Sequence, residues 1–443
     1  MLRATSQQQD EQQNWNRNSQ QPKQNVPRRT TVLIFLAQAH VTGSFLCLLI
    51  RMRNETHVLQ RMVLANPLFC QVIIRLWHER RILFMRNCFA LVLFLVATTL
   101  VSAAELKEVA SFPDQQVTGV GVSTKSGRVF VNFPFWSDDH SISVAELVNG
   151  QPKPFPNEEW NRLGPAGSHF ICVQSVVVDD QDNLWVLDPA SPKMQGIVKG
   201  GPKLVEIDLR ANQVMQTIPF GEDIAPAKSY LNDVRIDTRS GTAFITDSGK
   251  GAIIVVDLKS GKARRLLDGH TSTQPEKGFK LVVDGKELID QQKKAPPQIA
   301  SDGIALDAKN GYLYYHALTA HTLYRIKTSF LSDEQLSQKD LESKVENVGQ
   351  TAAPDGMLEA PDGSIYLTDL EHNAVVRWNP STKSTEQVIT DKRLMWPDTL
   401  SWGPNDELYV TTSQIENMPR FNNGKSTRTE PYKLWKIAGV NRR

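Results

Sequence analysis

Beyond residue 104 apolar and polar residues alternate over short runs instead of recurring every three or four positions. The runs "NDVRID" and "TAFITD", joined by "TRSG", read as two strands of a β-hairpin with a Ser-Gly turn between them. The same unit recurs as "TGVGVSTKSGRVFVNF" from Thr118, "QSVVVDDQDNLWVLD" from Gln174, "NDVRIDTRSGTAFITD" from Asn232, "DGIALDAKNGYLYYHA" from Asp302, "DGMLEAPDGSIYLTD" from Asp355 and "DTLSWGPNDELYVTT" from Asp398. Third strands follow as "AIIVVDL", "TLYRIKT", "AVVRWNP" and "YKLWKIA", and fourth strands as "ARRLLD" and "TEQVIT". Four-stranded units at intervals of 43 to 70 residues predict an all-β, six-bladed β-propeller over residues 105–443, in which each short sheet buries both faces against its neighbours. The last unit ends after three strands, so the unassigned run "ELKEVASF", residues 105–112, is expected to complete the sixth sheet and close the ring. The stretch Ser332 to Val348 has helical spacing and is expected to be an excursion between blades four and five.

The first 104 residues follow a different pattern. Residues 1–30 are rich in Gln and Asn and carry too little apolar surface to offset the entropy of ordering them. From Met85 a basic start, an apolar stretch and small residues at Ser102 and Ala104 have the layout of a secretory signal over residues 85–104. A signal belongs at the start of a chain. Residues 1–84 are therefore expected to be disordered or an upstream extension, with Met85 as the true start. Export places the protein outside the cell or in the periplasm, with no stable membrane association once the signal is cleaved. The alternative is a membrane anchor through residues 88–104. Three of the four cysteines, Cys47, Cys70 and Cys88, lie in this leader, which leaves Cys172 without an intramolecular disulfide partner. A formal net charge of +2 offers no surface for nucleic acid.

In a propeller the innermost strand of each blade runs along the central channel, so equivalent positions form a ring. The six units place Thr118, Gln174, Asn232, Asp302, Asp355 and Asp398 in one register, and all six are polar. Gln174, Asn232, Asp302, Asp355 and Asp398, with Trp396 beside them as a wall, are the expected ligand-binding residues at the channel mouth. Converging carboxylates repel one another unless protons or a cation neutralise them, so Asn232, Asp302 and Asp355 are also candidate ligands for a hard divalent cation, most naturally Ca²⁺. The competing reading is that Asn and Asp begin these strands only because they cap turns. The sequence has no HExxH spacing and no G-x-S-x-G turn to support a zinc hydrolase or a serine nucleophile.

Across residues 110–437 the segments "RVFVNFPFW", "PFPNEEWN", "PKLVEIDL", "YLNDVRID", "FITDSGKGAIIVVDL", "RRLLDGHTST", "SDGIAL" and "WPDTLSW" occur in an order that resembles the major royal jelly and yellow protein family. The resemblance implies a secreted six-bladed propeller, here of a bacterial type, and does not imply one activity. A more distant similarity runs to the gluconolactonase and regucalcin group. There a central divalent ion is held by a Glu, two Asn and an Asp. Asn232 and Asp355 match two of those ligands, Asp302 stands in place of an Asn, and the Glu is missing because Thr118 occupies the first-blade position. Three functions remain open at this point. One is binding of a small organic ligand at the channel mouth. The second is metal-dependent lactone hydrolysis with Asp355 as the candidate catalytic carboxylate. The third is a structural or protein-partner role.

Overall fold

The computed structural model describes residues 104–137 and 140–440. The expected leader, residues 1–84 and most of 85–104, lies outside the described residues. Within Ser102–Arg443 the chain forms six four-stranded antiparallel sheets and one two-stranded ribbon, Val282–Val283 with Lys286–Glu287. The inner strands of the six sheets are Val120–Val122, Ser175–Val178, Leu231–Asp237, Ser301–Asp307, Met357–Glu359 and Pro397–Trp402. Each inner strand lies against the next, and the sixth lies against the first, so the sheets form a closed six-bladed propeller. In blade VI the order runs from Pro397–Trp402 through Leu408–Thr412 and Tyr432–Ala438 to Glu105–Phe112 at the rim. Among the described residues no helix is long and apolar enough to cross a membrane.

Alternation within the strands puts the core between blades rather than along the axis. Six apolar clusters each join two successive sheets: Phe130 and Val186 belong to the one between blades I and II, and Leu187 and Ile245 to the next. A seventh cluster, containing Phe279, Leu318, Leu370, Trp396 and Phe421, lies among the connecting loops. The stretch Ser332–Val348 departs from expectation. It joins the third and fourth strands of blade IV through the short helices Thr328–Ser332 and Gln338–Glu342, and its end belongs to the strand Glu346–Gln350. Only Leu331 and Leu341 are buried in these helices, too little apolar surface to support the longer helix that the charge pattern suggested.

The ring register is built by local irregularity. In blades III, IV and VI the pairing of the first two strands slips between Leu231 and Val234, Ser301 and Ile304, and Pro397 and Leu400. These slips fall on Asn232, Asp302 and Asp398, and such bulges re-aim side chains. In blades III and VI a threonine on the second strand then locks the geometry. Thr246 Oγ1 accepts from Asp233 N at 3.2 Å and donates to the Asp302 carbonyl of the next blade at 2.7 Å. Thr411 Oγ1 accepts from Thr399 N at 3.0 Å and donates to the Thr118 carbonyl, which ties blade VI to blade I.

The glycine after Asp355 has a steric cause, because a Cβ on Gly356 would overlap the Asp398 carbonyl oxygen. Gly356→Ala is therefore expected to cost about 3 kcal/mol through forced backbone shifts, read as a lowered midpoint in urea unfolding. An unchanged midpoint would show that blades V and VI are free to separate.

Below the ring, Arg235 leaves the inner strand of blade III and reaches past blade IV. It pairs with Asp233 at 3.1 Å and donates to the Met357 carbonyl of blade V at 2.6 Å. The guanidinium thus lies across the channel.

Candidate functional site

The mouth of the channel opens into a cavity of about 580 Å³. Gln174, Asn232, Asp302, Asp355, Trp396 and Asp398, the six residues expected from sequence, all line it. The remaining ring residue, Thr118, does not. It is fully buried, and its hydroxyl accepts from Asn132 Nδ2 at 2.9 Å.

The floor is one hydrogen-bonded arc. Trp136 Nε1 donates to the Tyr230 hydroxyl at 2.8 Å, and that hydroxyl donates to Gln174 Oε1 at 2.9 Å. Gln174 Nε2 donates to Asn232 Oδ1 at 3.4 Å. Asn232 Nδ2 donates to Asp302 Oδ2 at 2.7 Å and to Ser248 Oγ at 2.9 Å. The Asp302 carboxyl hydrogen-bonds to Asp355, whose Oδ2 also accepts from Trp396 Nε1 at 2.6 Å. Asp398 accepts from Thr399 Oγ1 at 3.1 Å.

Electrostatics assign the protons. Burial, followed by the charges of Asp355, Asp398 and Asp233, pushes Asp302 well above the usual carboxylate range. Burial and then Asp355 do the same to Asp398. Burial also lifts Asp355, to about 7, against the opposing hydrogen bond from Trp396. Near neutrality Asp302 is thus the protonated donor, and Asp355 is the carboxyl that titrates. Trp396, 1% exposed, holds φ at +50°, a strained conformation for a bulky residue and one kept only where the surroundings impose it.

Apart from Trp396, sequence reasoning missed the walls. Trp136, Tyr230, Met194, Ile197, Leu318 and Phe421 come from segments before or between strands. The one sequence cue was Tyr230, two residues ahead of the ring position. Cys172 lies behind Tyr230, and burial and then Asp188 push its thiol up to about 12, so it is no nucleophile. Asp247 and Asp369, which end second strands, serve turns: Asp247 accepts from the backbone of Tyr230, Gly249 and Lys250, and Asp369 from that of Glu371.

The donor set does not make a ready cation cage. Among the described residues no three His, Cys, Asp or Glu side chains are grouped to hold a metal ion. Asn232 presents its amide N–H to Asp302, and one Asp355 oxygen is taken by the Trp396 N–H. The Thr118 hydroxyl offers no charge. Ca²⁺ coordination by Asn232, Asp302 and Asp355 would require breaking the arc of hydrogen bonds.

Fold and cavity together define a six-bladed propeller with a ligand-sized pit on its axis. The chain belongs to the major royal jelly protein family, whose sequence model matches residues 171–430. It is 22% identical over 256 residues to major royal jelly protein 1 of Apis mellifera, covering 54% of this chain and 56% of that one. It is 24% identical over 244 residues to major royal jelly protein 3 of the same organism, covering 48% and 42%. The chain thus spans about half the length of these curated relatives. Among solved structures, a Xanthomonas campestris gluconolactonase aligns with a TM-score of 0.48 at 11% identity, over 76% of this chain and 90% of that one. A calcium-binding regucalcin from Agrobacterium tumefaciens aligns with a TM-score of 0.46 at 13% identity, over 76% and 94%. At these scores nothing about the site is transferred.

Proposed function

We propose that this is an exported propeller that binds a small organic molecule in the axial cavity, with no nucleic-acid partner and no lasting membrane attachment. The observation that carries the reading is the contrast within one pit. Its floor of Asn232 and the buried carboxyls of Asp302, Asp355 and Asp398 lies under walls of Trp136, Tyr230, Trp396 and Phe421. Such a site holds an apolar body and orients it through one polar end. Export rests on the signal-like layout of residues 85–104.

The test is calorimetric titration of small aromatic amines and phenols, with Asp355→Asn as the variant. Asp355 is ionised above about pH 7 and neutral below it, so affinity for a cationic ligand is expected to rise with pH through that value. Asp355→Asn is expected to weaken such a ligand at pH 8 by roughly tenfold or more, the worth of a hydrogen bond to a charged group. A pH-independent affinity, or a variant that binds as well as the parent, would count against the floor as the recognition surface.

The second reading, metal-dependent lactone hydrolysis, is favoured by the convergence of three carboxyls and opposed by the hydrogen bonds that occupy them. Calcium titration of the same protein decides it. Stoichiometric uptake with chelator-sensitive lactone turnover would replace the binding reading.

A further inference from the structure

The six acidic and basic side chains that line the cavity are sorted by depth. Asp302, Asp355 and Asp398 come from the inner-strand ring and are buried. Lys228, Lys293 and Arg420 come from three separate loops, and both lysines are exposed. Acid lies at the bottom and base at the mouth, with no charge of the opposite sign lining either level.

The basic rim is supported from below. The buried carboxylate of Asp290 accepts from Arg420 Nε at 2.8 Å and from the backbone N–H of Gln292 and Lys293 at 3.0 Å, so one anion fixes two cationic residues on different loops. Asp290 offsets the Arg420 charge, which leaves the surplus on the lysines. Lys228 holds φ at +74° on a segment pinned by the Ser229–Asp247 hydrogen bond and by the tight approach of Gly249 to the Lys228 carbonyl. A residue other than glycine keeps that conformation only where its surroundings over-determine it. Neither lysine forms an ion pair among the described residues. Between floor and rim stand the rings of Trp136, Tyr230, Trp396 and Phe421.

We infer that the ligand is a small aromatic carboxylic acid with a hydroxyl or ammonium donor at the end remote from its carboxylate. The donor end meets the floor at Asp355, the ring lies against the aromatic walls, and the carboxylate stays at the mouth beside Lys228 and Lys293. A carboxylate pointed downward would meet the ionised Asp355 and lose the lysines, and a purely cationic ligand would be repelled by the lysine rim. This rests on the reading of the cavity as a ligand site and adds the chemical class and orientation of its occupant.

Three probes separate the two ends: 3-(4-hydroxyphenyl)propionate, 4-ethylphenol, which lacks the carboxylate, and 3-phenylpropionate, which lacks the hydroxyl. Each is titrated calorimetrically into the full chain and into the Lys228→Met/Lys293→Met double variant, whose exposed substitutions keep the apolar stems. The hydroxy acid is expected to bind tightest, and loss of either end is expected to cost about tenfold, the worth of one charge-assisted contact. In the double variant both acids are expected to weaken by about that factor while 4-ethylphenol is unchanged. Equal affinity of 4-ethylphenol and the hydroxy acid, or equal weakening of all three probes in the variant, overturns the acid assignment and leaves the ligand site standing. Failure of all three to bind the parent chain overturns both.

Discussion

Deletion of residues 105–112 is expected to lower the melting temperature by roughly 15 °C or to prevent folding, measured on the chain with and without that strand. Glu105–Phe112 pairs along its length with Tyr432–Ala438, and its two ends enter different interfaces. Leu106 packs into the cluster joining blades V and VI, while Ala110 and Phe112 pack into the one joining VI and I, where Phe112 meets Phe133 edge-on at 5.2 Å. Losing the burial of Leu106 and Phe112 alone costs about 5 kcal/mol, and a domain of this size loses about 2–4 °C per kcal/mol. The exposed edge of Tyr432–Ala438 also invites aggregation. A truncated chain that melts with the parent would show that blade VI is held without its outermost strand.

Asp355 should weaken the protein that carries it. Its folded pKa is about 7 against an ordinary 3.8, so between those values the native state holds a proton that the unfolded chain has released. Raising the pH through this window pulls toward the unfolded state. The group's contribution is whole below about pH 4 and is lost by about pH 7, a difference of about 4 kcal/mol at 1.4 kcal/mol per unit. Asp355→Asn cannot ionise, and its amide oxygen still accepts from Trp396. Urea unfolding at pH 4.5 and pH 8 is expected to show the variant gaining several kcal/mol on the parent at the higher pH, and little at the lower. Asp302→Asn, whose amide can accept from Asn232 and donate to Asp355, should shift in the same direction. A variant that tracks the parent at both pH values would mean that Asp355 is solvated and carries no such penalty. The predicted gain in stability accompanies a predicted loss of binding, as expected where a strained or desolvated group is kept for function.

The strand pattern made the six sheets legible because each inner strand is read by alternation and each turn by Gly, Asn or Asp. The ring was legible for the same reason: a shared register in sequence becomes a shared height along the axis. Of the bulges at Asn232, Asp302 and Asp398, only the one at Asp302 coincides with a "DG" pair, where Gly303, like Gly356 in blade V, admits the next blade's carbonyl. Apart from Trp396, the walls of the cavity were not legible. Trp136, Met194, Ile197 and Phe421 sit in loops that are neighbours only because the ring closes, and the left-handed backbone at Lys193, Met194 and Trp396 follows no local propensity. Ser332–Val348 misled because charge at helical spacing describes a solvated surface equally well when the backbone is mostly turn and strand.

Arg235 bridges blades III and V beneath the ring, and Lys228 and Lys293 stand at the mouth of the cavity above it. A molecule that leaves the floor through that mouth passes both lysines. Residence time is then governed at the mouth, by the loops and whatever rests on them, while equilibrium affinity is set on the floor. The two quantities can be tuned by different residues, and an occupant larger than the cavity would leave its tail projecting outward, where a second macromolecule could grip it.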